Sequence, residues 1–247
     1  MRLKDKVAIV TGGAQGFGEG IAEVYAREGA KVVVTDLNAE GAQKVAARLG
    51  NGAIGVGGDV SKLADAKAIV TAAIKAFGKL DIIVNNAGTS HRNKPMTEVT
   101  EEEFDRVSAV NVKSIYNFAV VGVPHMKEKG GAIINIGSTA GIRPRPGLTW
   151  YNASKGAVNL VSKSMAVELA PFKIRVNAIA PVAGETPLLA TFMGEDTPEI
   201  RAKFISTIPL SRFSTPADIA NACLFLASDE ASMTTGSVLE VDGGRCV

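Results

Sequence analysis

Tyr151 and Lys155 stand four residues apart, with Ser138 thirteen positions before Tyr151 and Asn111 upstream of all three. Positions i and i+4 of a helix share a face, so a phenol and an ammonium so spaced can meet. A phenol has an ordinary pKa of about 10, too high for proton exchange near neutrality. A lowering of roughly three units, equivalent to about 4 kcal/mol of differential stabilisation of the phenolate, would poise it as an acid and base. The Lys155 cation, with a second cation bound nearby, is expected to supply that lowering.

A nucleophilic serine is the rival chemistry for Ser138. Its surroundings, IGSTAG, put Ile136 where a nucleophile elbow carries its first Gly, and the two histidines, His91 and His125, both lie upstream. Hydrolysis is therefore excluded. His91 is a candidate for the substrate pocket with Ala140, set against a solvated loop histidine; His125, beside Pro124, reads as structural. Arg143 and Arg145, in GIRPRPG, read as exposed on a proline-stiffened loop, with attraction of a substrate carboxylate or phosphate as the competing reading. Trp150 is expected to pack rather than recognise.

These groups need a scaffold, and short β-branched runs alternating with longer helical periodicities predict one. Strands are predicted at 7–10, 31–35, 53–56, 82–85, 132–136, 174–180 and 237–241, and helices at 18–28, 39–49, 64–77, 101–129, 152–170 and 216–227. Ala42, Val45, Ala46 and Leu49 form one apolar stripe, as a helix covering a sheet requires. Runs such as VAIV, apolar at every position, suit strands buried on both faces. The stretch 181–213 has four prolines and only a weak helical patch at 198–205, yet is too apolar to be solvated throughout; it is expected to cover the substrate.

After the first strand comes TGGAQGFG, whose Gly12, Gly16 and Gly18 open a helix. Glycines there permit a sharp turn and close approach of a pyrophosphate to free helix N–H groups. Asp36 closes the second strand eighteen residues past Gly18, where a carboxylate can accept bonds from an adenosine ribose. Ala14, Gln15 and Leu37 bring no positive charge to neutralise a 2′-phosphate, so NAD is expected over NADP. The fold class predicted is α/β: a Rossmann-like, doubly wound, parallel seven-stranded sheet with helices on both faces, spanning 1–247 as one domain. With a nicotinamide as the second cation, Tyr151 can take the hydroxyl proton of a secondary alcohol as hydride leaves its carbon, and Ser138 can steady the developing alkoxide.

Composition narrows the alternatives. The 247 residues carry a formal charge of +2 with scattered basic residues, so no nucleic-acid partner is expected. Cys223 and Cys246 have no metal-ligand neighbours, so neither a zinc site nor a disulfide is expected. No run of about 18 apolar residues and no secretory leader is seen, so the chain is read as cytoplasmic with no membrane partner.

TGGAQGFG, Asp36, Asp59-Val60, the NNAG run at 85–88, Asn111, Ser138 and the Tyr151–Lys155 motif occur together in this order. In this the chain resembles the single-domain short-chain dehydrogenase/reductase family over essentially its whole length. The resemblance implies that Asp59 and Val60 lie against the adenine, that Asn86, Ala87 and Gly88 line the cofactor along with Gln15, Phe17 and Leu37, and that Lys155 binds nicotinamide ribose hydroxyls. It implies further that Asn111 holds a water linking Lys155 to solvent, and that subunits associate as a homotetramer through the helices at 101–129 and 152–170. Pro181, Val182 and Thr186 are implied to flank the nicotinamide, although Val182 stands where the family usually has Gly. The nearest competing activity is a 3-oxoacyl-[acyl-carrier-protein]-type reductase using NADPH, against which Asp36 argues.

Overall fold

Alternating burial shows how the sheet is covered. Every residue of β1 (Val7–Thr11) is buried, and a strand turns successive side chains to opposite faces. Ala8 and Val10 pack with Ile21, Tyr25, Ile219 and Cys223 on one side; Ile9 packs with Ile69, Phe118 and Leu169 on the other. Each such large apolar side chain contributes about 1.5–3 kcal/mol when fully withdrawn from water.

The computed structural model, which describes residues 1–194 and 196–247, adds to β1 the strands β2 (Lys31–Asp36), β3 (Ile54–Gly57), β4 (Ile82–Asn85), β5 (Gly131–Ile136), β6 (Ile174–Pro181) and β7 (Val238–Val241). All pair in parallel, in the order β3-β2-β1-β4-β5-β6-β7. One face is covered by α1 (Gly16–Arg27), α2 (Ala39–Leu49) and, far along the chain, Pro216–Ala227. The opposite face is covered by α3 (Leu63–Phe77) and by helices from the segments 114–126 and 149–169. The strand order reverses between β1 and β4, which opens a crevice at their carboxyl ends. Among the described residues no helix is long and apolar enough to cross a membrane.

The predicted helix 101–129 is in fact two. It divides into α4 (Glu101–Ser108) and α5 (Ser114–Met126) around a π turn at Ala109–Lys113. The widened turn carries Asn111 inward, where Nδ2 donates to the Thr89 carbonyl and to Ser154 Oγ, both at 2.9 Å. Lys129 and Gly130 then donate back to the Met126 carbonyl and end the segment early. The next helix, α6 (Thr149–Leu169), starts before the predicted 152, so Tyr151 lies within it.

The stretch 181–213 is only partly irregular. It contains α7 (Leu189–Met193) and α8 (Pro198–Ile205), and a bridge between Gly184 and Ser214 closes it just before α9 (Pro216–Ala227). Val182, Leu189, Ile208 and Phe213 give it a small core of its own. Val182 needs no left-handed backbone: its N–H donates to the Val241 carbonyl at 3.3 Å, prolonging the β6–β7 pairing.

The approach of α1 to β1 depends on Gly18, since a Cβ there would come within 2.1 Å of the Gly12 carbonyl oxygen and 2.5 Å of Asn86 Nδ2. Gly18→Ala is expected to cost on the order of 1–3 kcal/mol, read as a lower urea midpoint, together with weaker dinucleotide binding measured by calorimetry.

Candidate active site

A buried polar ladder sets the position of α6. Asn85 Nδ2 donates to Asn135 Oδ1 at 2.8 Å, Asn135 Nδ2 to Ser162 Oγ at 2.9 Å, and Ser162 Oγ to the Val158 carbonyl at 2.7 Å. The chain of bonds runs from β4 through β5 into α6, and buried partners of this kind are costly to separate. On the turn of α6 nearest the sheet ends, Lys155 Nζ donates to the Ile136 carbonyl at 2.7 Å. The same ammonium lies 5.9 Å from the centre of the Tyr151 ring. The four-residue spacing thus does put the two groups on one face.

Glycine geometry shapes the other end. Gly12 and Gly16 adopt φ of +62° and +59°, conformations that an L side chain resists. Gln15, at the N-terminus of α1, makes no side-chain cap, so first-turn N–H groups stay available. Asp36 Oδ2 accepts from the Ala14 N–H at 3.1 Å, fixing the carboxylate beside this loop. Asn86 Nδ2 donates to the carbonyls of Thr11 and Gly12 at 2.8 and 3.1 Å, joining the ends of β1 and β4.

A single cleft of 460 Å³ joins the two ends. Its walls include Gly12, Gln15, Gly16, Phe17, Asp36, Leu37, Val60, Asn86, Ala87 and Gly88, and then Ser138, Ala140, Tyr151, Lys155, Pro181, Val182 and Thr186. Four expected residues do not line it. Gly18 is consumed by helix–strand packing. Asp59 accepts from the Ser61 N–H and hydroxyl instead. Asn111 spends both amide hydrogens on Thr89 and Ser154, while its Oδ1 accepts the Thr89 N–H at 2.8 Å, so it clamps the loop after β4 rather than facing the cleft. His91 is neither solvated nor in the pocket: it is 0% exposed, with Nδ1 against the Arg92 carbonyl.

The expected acidification of Tyr151 is not delivered by the protein alone. Burial pushes its pKa up to about 12, against which the Ser138 hydroxyl and then the Arg145 charge pull it down. Burial likewise pushes Lys155 down to about 8. Withdrawal from water disfavours the charged form of each, so neither ionises as readily as in solution.

Several lining residues carried no sequence signal. Leu148 and Arg106 are among them; Phe192 and Phe204 come from the covering stretch, and Phe192 lies 4.9 Å from Tyr151 between ring centres. Arg145, expected to be exposed, is half-buried and lines the cleft, whereas Arg143 is exposed. Trp150 packs as expected, donating to the Met96 carbonyl and meeting Phe104 edge-on.

Comparison with known proteins gives the same outline. The family described as enoyl-(acyl carrier protein) reductase matches residues 12–245. A 4-formylbenzenesulfonate dehydrogenase from Comamonas testosteroni is 55% identical over 250 residues, covering 99% of each chain. A 3-oxoacyl-[acyl-carrier-protein] reductase from Thermotoga maritima is 39% identical over 256 residues, covering 100% of both. The crystal structure of a 3-ketoacyl-(acyl-carrier-protein) reductase from Brucella melitensis, complexed with NADH, superposes with a TM-score of 0.94 at 49% identity, over 99% of this chain and 100% of that one.

Ser138→Ala removes one support of the Tyr151 phenolate. Alcohol oxidation is expected to slow by about 10²–10³-fold, and the rising limb of kcat/KM against pH to move to higher pH, because loss of a group that lowers a pKa raises it. A pH–rate profile checks this; a limb that stays in place would separate Ser138 from the titrating group.

Proposed function

The chain belongs to the short-chain dehydrogenase/reductase family, and we propose that this oxidoreductase uses NAD to interconvert a secondary alcohol and its ketone. The observation that carries the proposal is the continuity of one cleft from Asp36 and the glycine loop to Ser138, Tyr151 and Lys155. An extended dinucleotide fits such a cleft. The uncapped start of α1 would hold its pyrophosphate and Asp36 its adenosine ribose. When bound, the nicotinamide supplies the hydride acceptor and a positive charge.

Tyr151 takes the alcohol proton in oxidation and returns it in reduction. Its burial, which holds the proton on in the absence of further charge, makes ionisation responsive to a cation entering the cleft. Lys155 uses one N–H on Ile136 and keeps two for ribose hydroxyls. Ser138 Oγ accepts the Ala140 N–H at 3.0 Å, which fixes the oxygen and leaves its hydrogen to donate to the Tyr151 oxygen or to the substrate oxygen. Asn111 ties Thr89 to Ser154, the residue before Lys155, and any water relay through it uses the remaining Oδ1 lone pair or its backbone. The stretch 181–213 closes the substrate end, with residues 1–247 working as one domain.

Among the described residues Asp36 makes no ion pair, and a 2′-phosphate bound beside its carboxylate would cost several kcal/mol on the scale of opposed like charges, which supports NAD. Tyr116, Val120, Leu160 and Val167, exposed on α5 and α6, support association through these helices into a homotetramer. A thioester reductase is the second reading, favoured by the names of two relatives. Preference for NADPH together with turnover of an acetoacetyl thioester, but not of simple ketones, would select it.

Tyr151→Phe is expected to lower kcat by at least about 10³-fold while NADH binding, followed by fluorescence, is retained. Undiminished turnover would defeat the mechanism. Wild-type kcat/KM should favour NAD over NADP, and Asp36→Ser should narrow the ratio by about 10-fold or more; a wild-type preference for NADP would overturn the cofactor assignment.

A further inference from the structure

The substrate end of the cleft is strongly biased in charge. The charged residues lining the whole cleft are Asp36, Arg106, Arg145 and Lys155. Asp36 belongs to the adenosine end, so the rest of the charged lining is three cations with, among the described residues, no carboxylate, and of these Lys155 and Arg145 act on Tyr151. Lys155 is bonded to the Ile136 carbonyl, and Arg106 reaches the Ser90 carbonyl at 3.4 Å. Arg145 differs from both. Its Nη2 is buried and has no hydrogen-bond partner among the described residues, and the same holds for Nε and Nη1 of Arg245. Unpaired buried donors on a charged group are expensive, and native structures rarely keep them without a reason.

The guanidinium is also held in place. Its Cζ lies 3.7 Å from the Phe204 ring centre, a cation–π contact with the covering stretch. The Arg145 carbonyl accepts from Asn152 Nδ2 at 2.8 Å, the Pro146 carbonyl from Asn93 Nδ2 at 3.2 Å, and the Gly147 carbonyl from the Lys94 N–H at 3.0 Å. Arg245 stands close enough for its like charge to join burial in pushing the Arg145 pKa down to about 10. A preorganised cation, short of partners and facing a second arginine, is built for an anion. The pyrophosphate end lies at the glycine loop, so this anion belongs to the substrate. Leu148, Phe192 and Phe204 line the space around Arg145 and call for an apolar body.

Resting on the oxidoreductase reading above, we propose that Arg145 is a specificity-determining residue that receives a carboxylate or sulfonate carried by the substrate on an apolar ring, remote from its carbonyl or carbinol carbon.

The test compares acetophenone, 4-acetylbenzoate and 4-acetylbenzenesulfonate as ketones reduced by NADH, with calorimetric titration of the same compounds into enzyme saturated with NAD. At least one of the anionic ketones should exceed acetophenone in kcat/KM by about 30-fold or more, chiefly through KM, on the scale of a desolvated charge pair. Arg145→Gln should collapse that ratio, Arg145→Lys should restore part of it, and Arg92→Gln, altering an exposed arginine that does not line the cleft, should leave it intact. Acetophenone reduced as well as both anions by wild type would overturn the role of Arg145 while sustaining the oxidoreductase reading. So would a ratio unchanged in Arg145→Gln. Anions that wild type neither binds nor reduces would overturn the inference as well, and failure with every alcohol and ketone of a broad panel would remove the reading beneath it.

Discussion

A row of buried amides and hydroxyls, Asn85 to Asn135 to Ser162, ties β4, β5 and α6 into one rigid unit. Everything chemical depends on this register. Tyr151 and Lys155 belong to α6, Ser138 follows β5, and the Asn86–Gly88 wall follows β4. A slip of α6 along the sheet would strand three polar partners in the interior, so the helix has one energetically acceptable position. The Lys155 bond to Ile136 is the last rung of the same system.

Within this frame the protein withholds ionisation instead of granting it. Burial raises the Tyr151 phenol and lowers the Lys155 ammonium. Two groups so displaced respond strongly to any new charge in the cleft, because the surrounding dielectric is low. The arrangement couples proton transfer to the arrival of a cation, which gives the phenol a reason to remain inert until the cleft is filled. The Arg145 charge opposes this burial and favours the phenolate, and its stacking on Phe204 links the charge of the site to the stretch that covers it.

Much of the fold was legible from local pattern. Continuous apolar runs marked β1 and β4 as strands covered on both sides, and the apolar stripe of Ala42, Val45 and Ala46 marked α2 as a covering helix. The glycine loop and the i, i+4 pair were legible because their geometry is imposed by backbone sterics and helical pitch, which act over a few residues. The π turn was not, since nothing in 109–113 breaks helical periodicity; it forms because Asn111 gains buried partners on Thr89 and Ser154, far away in the chain. The patch at 198–205 did announce α8, whereas α7 was not legible: its Leu189 packs with Val182, Ile208 and Phe213, contacts that a linear pattern does not encode.

What the chain determined by itself is the alternation of strands and helices, the order of its motifs and the kinds of side chain available for proton transfer and dinucleotide contact. Tertiary structure alone decided that His91 is buried away from the cleft, that Asn111 is a clamp, that Tyr151 is held above and not below its ordinary pKa, and that Arg145 turns inward while Arg143 stays outside. The physical reason is common to all four. Solvent exposure and long-range electrostatics are properties of what surrounds a residue in space, and those surroundings come from segments tens of positions away.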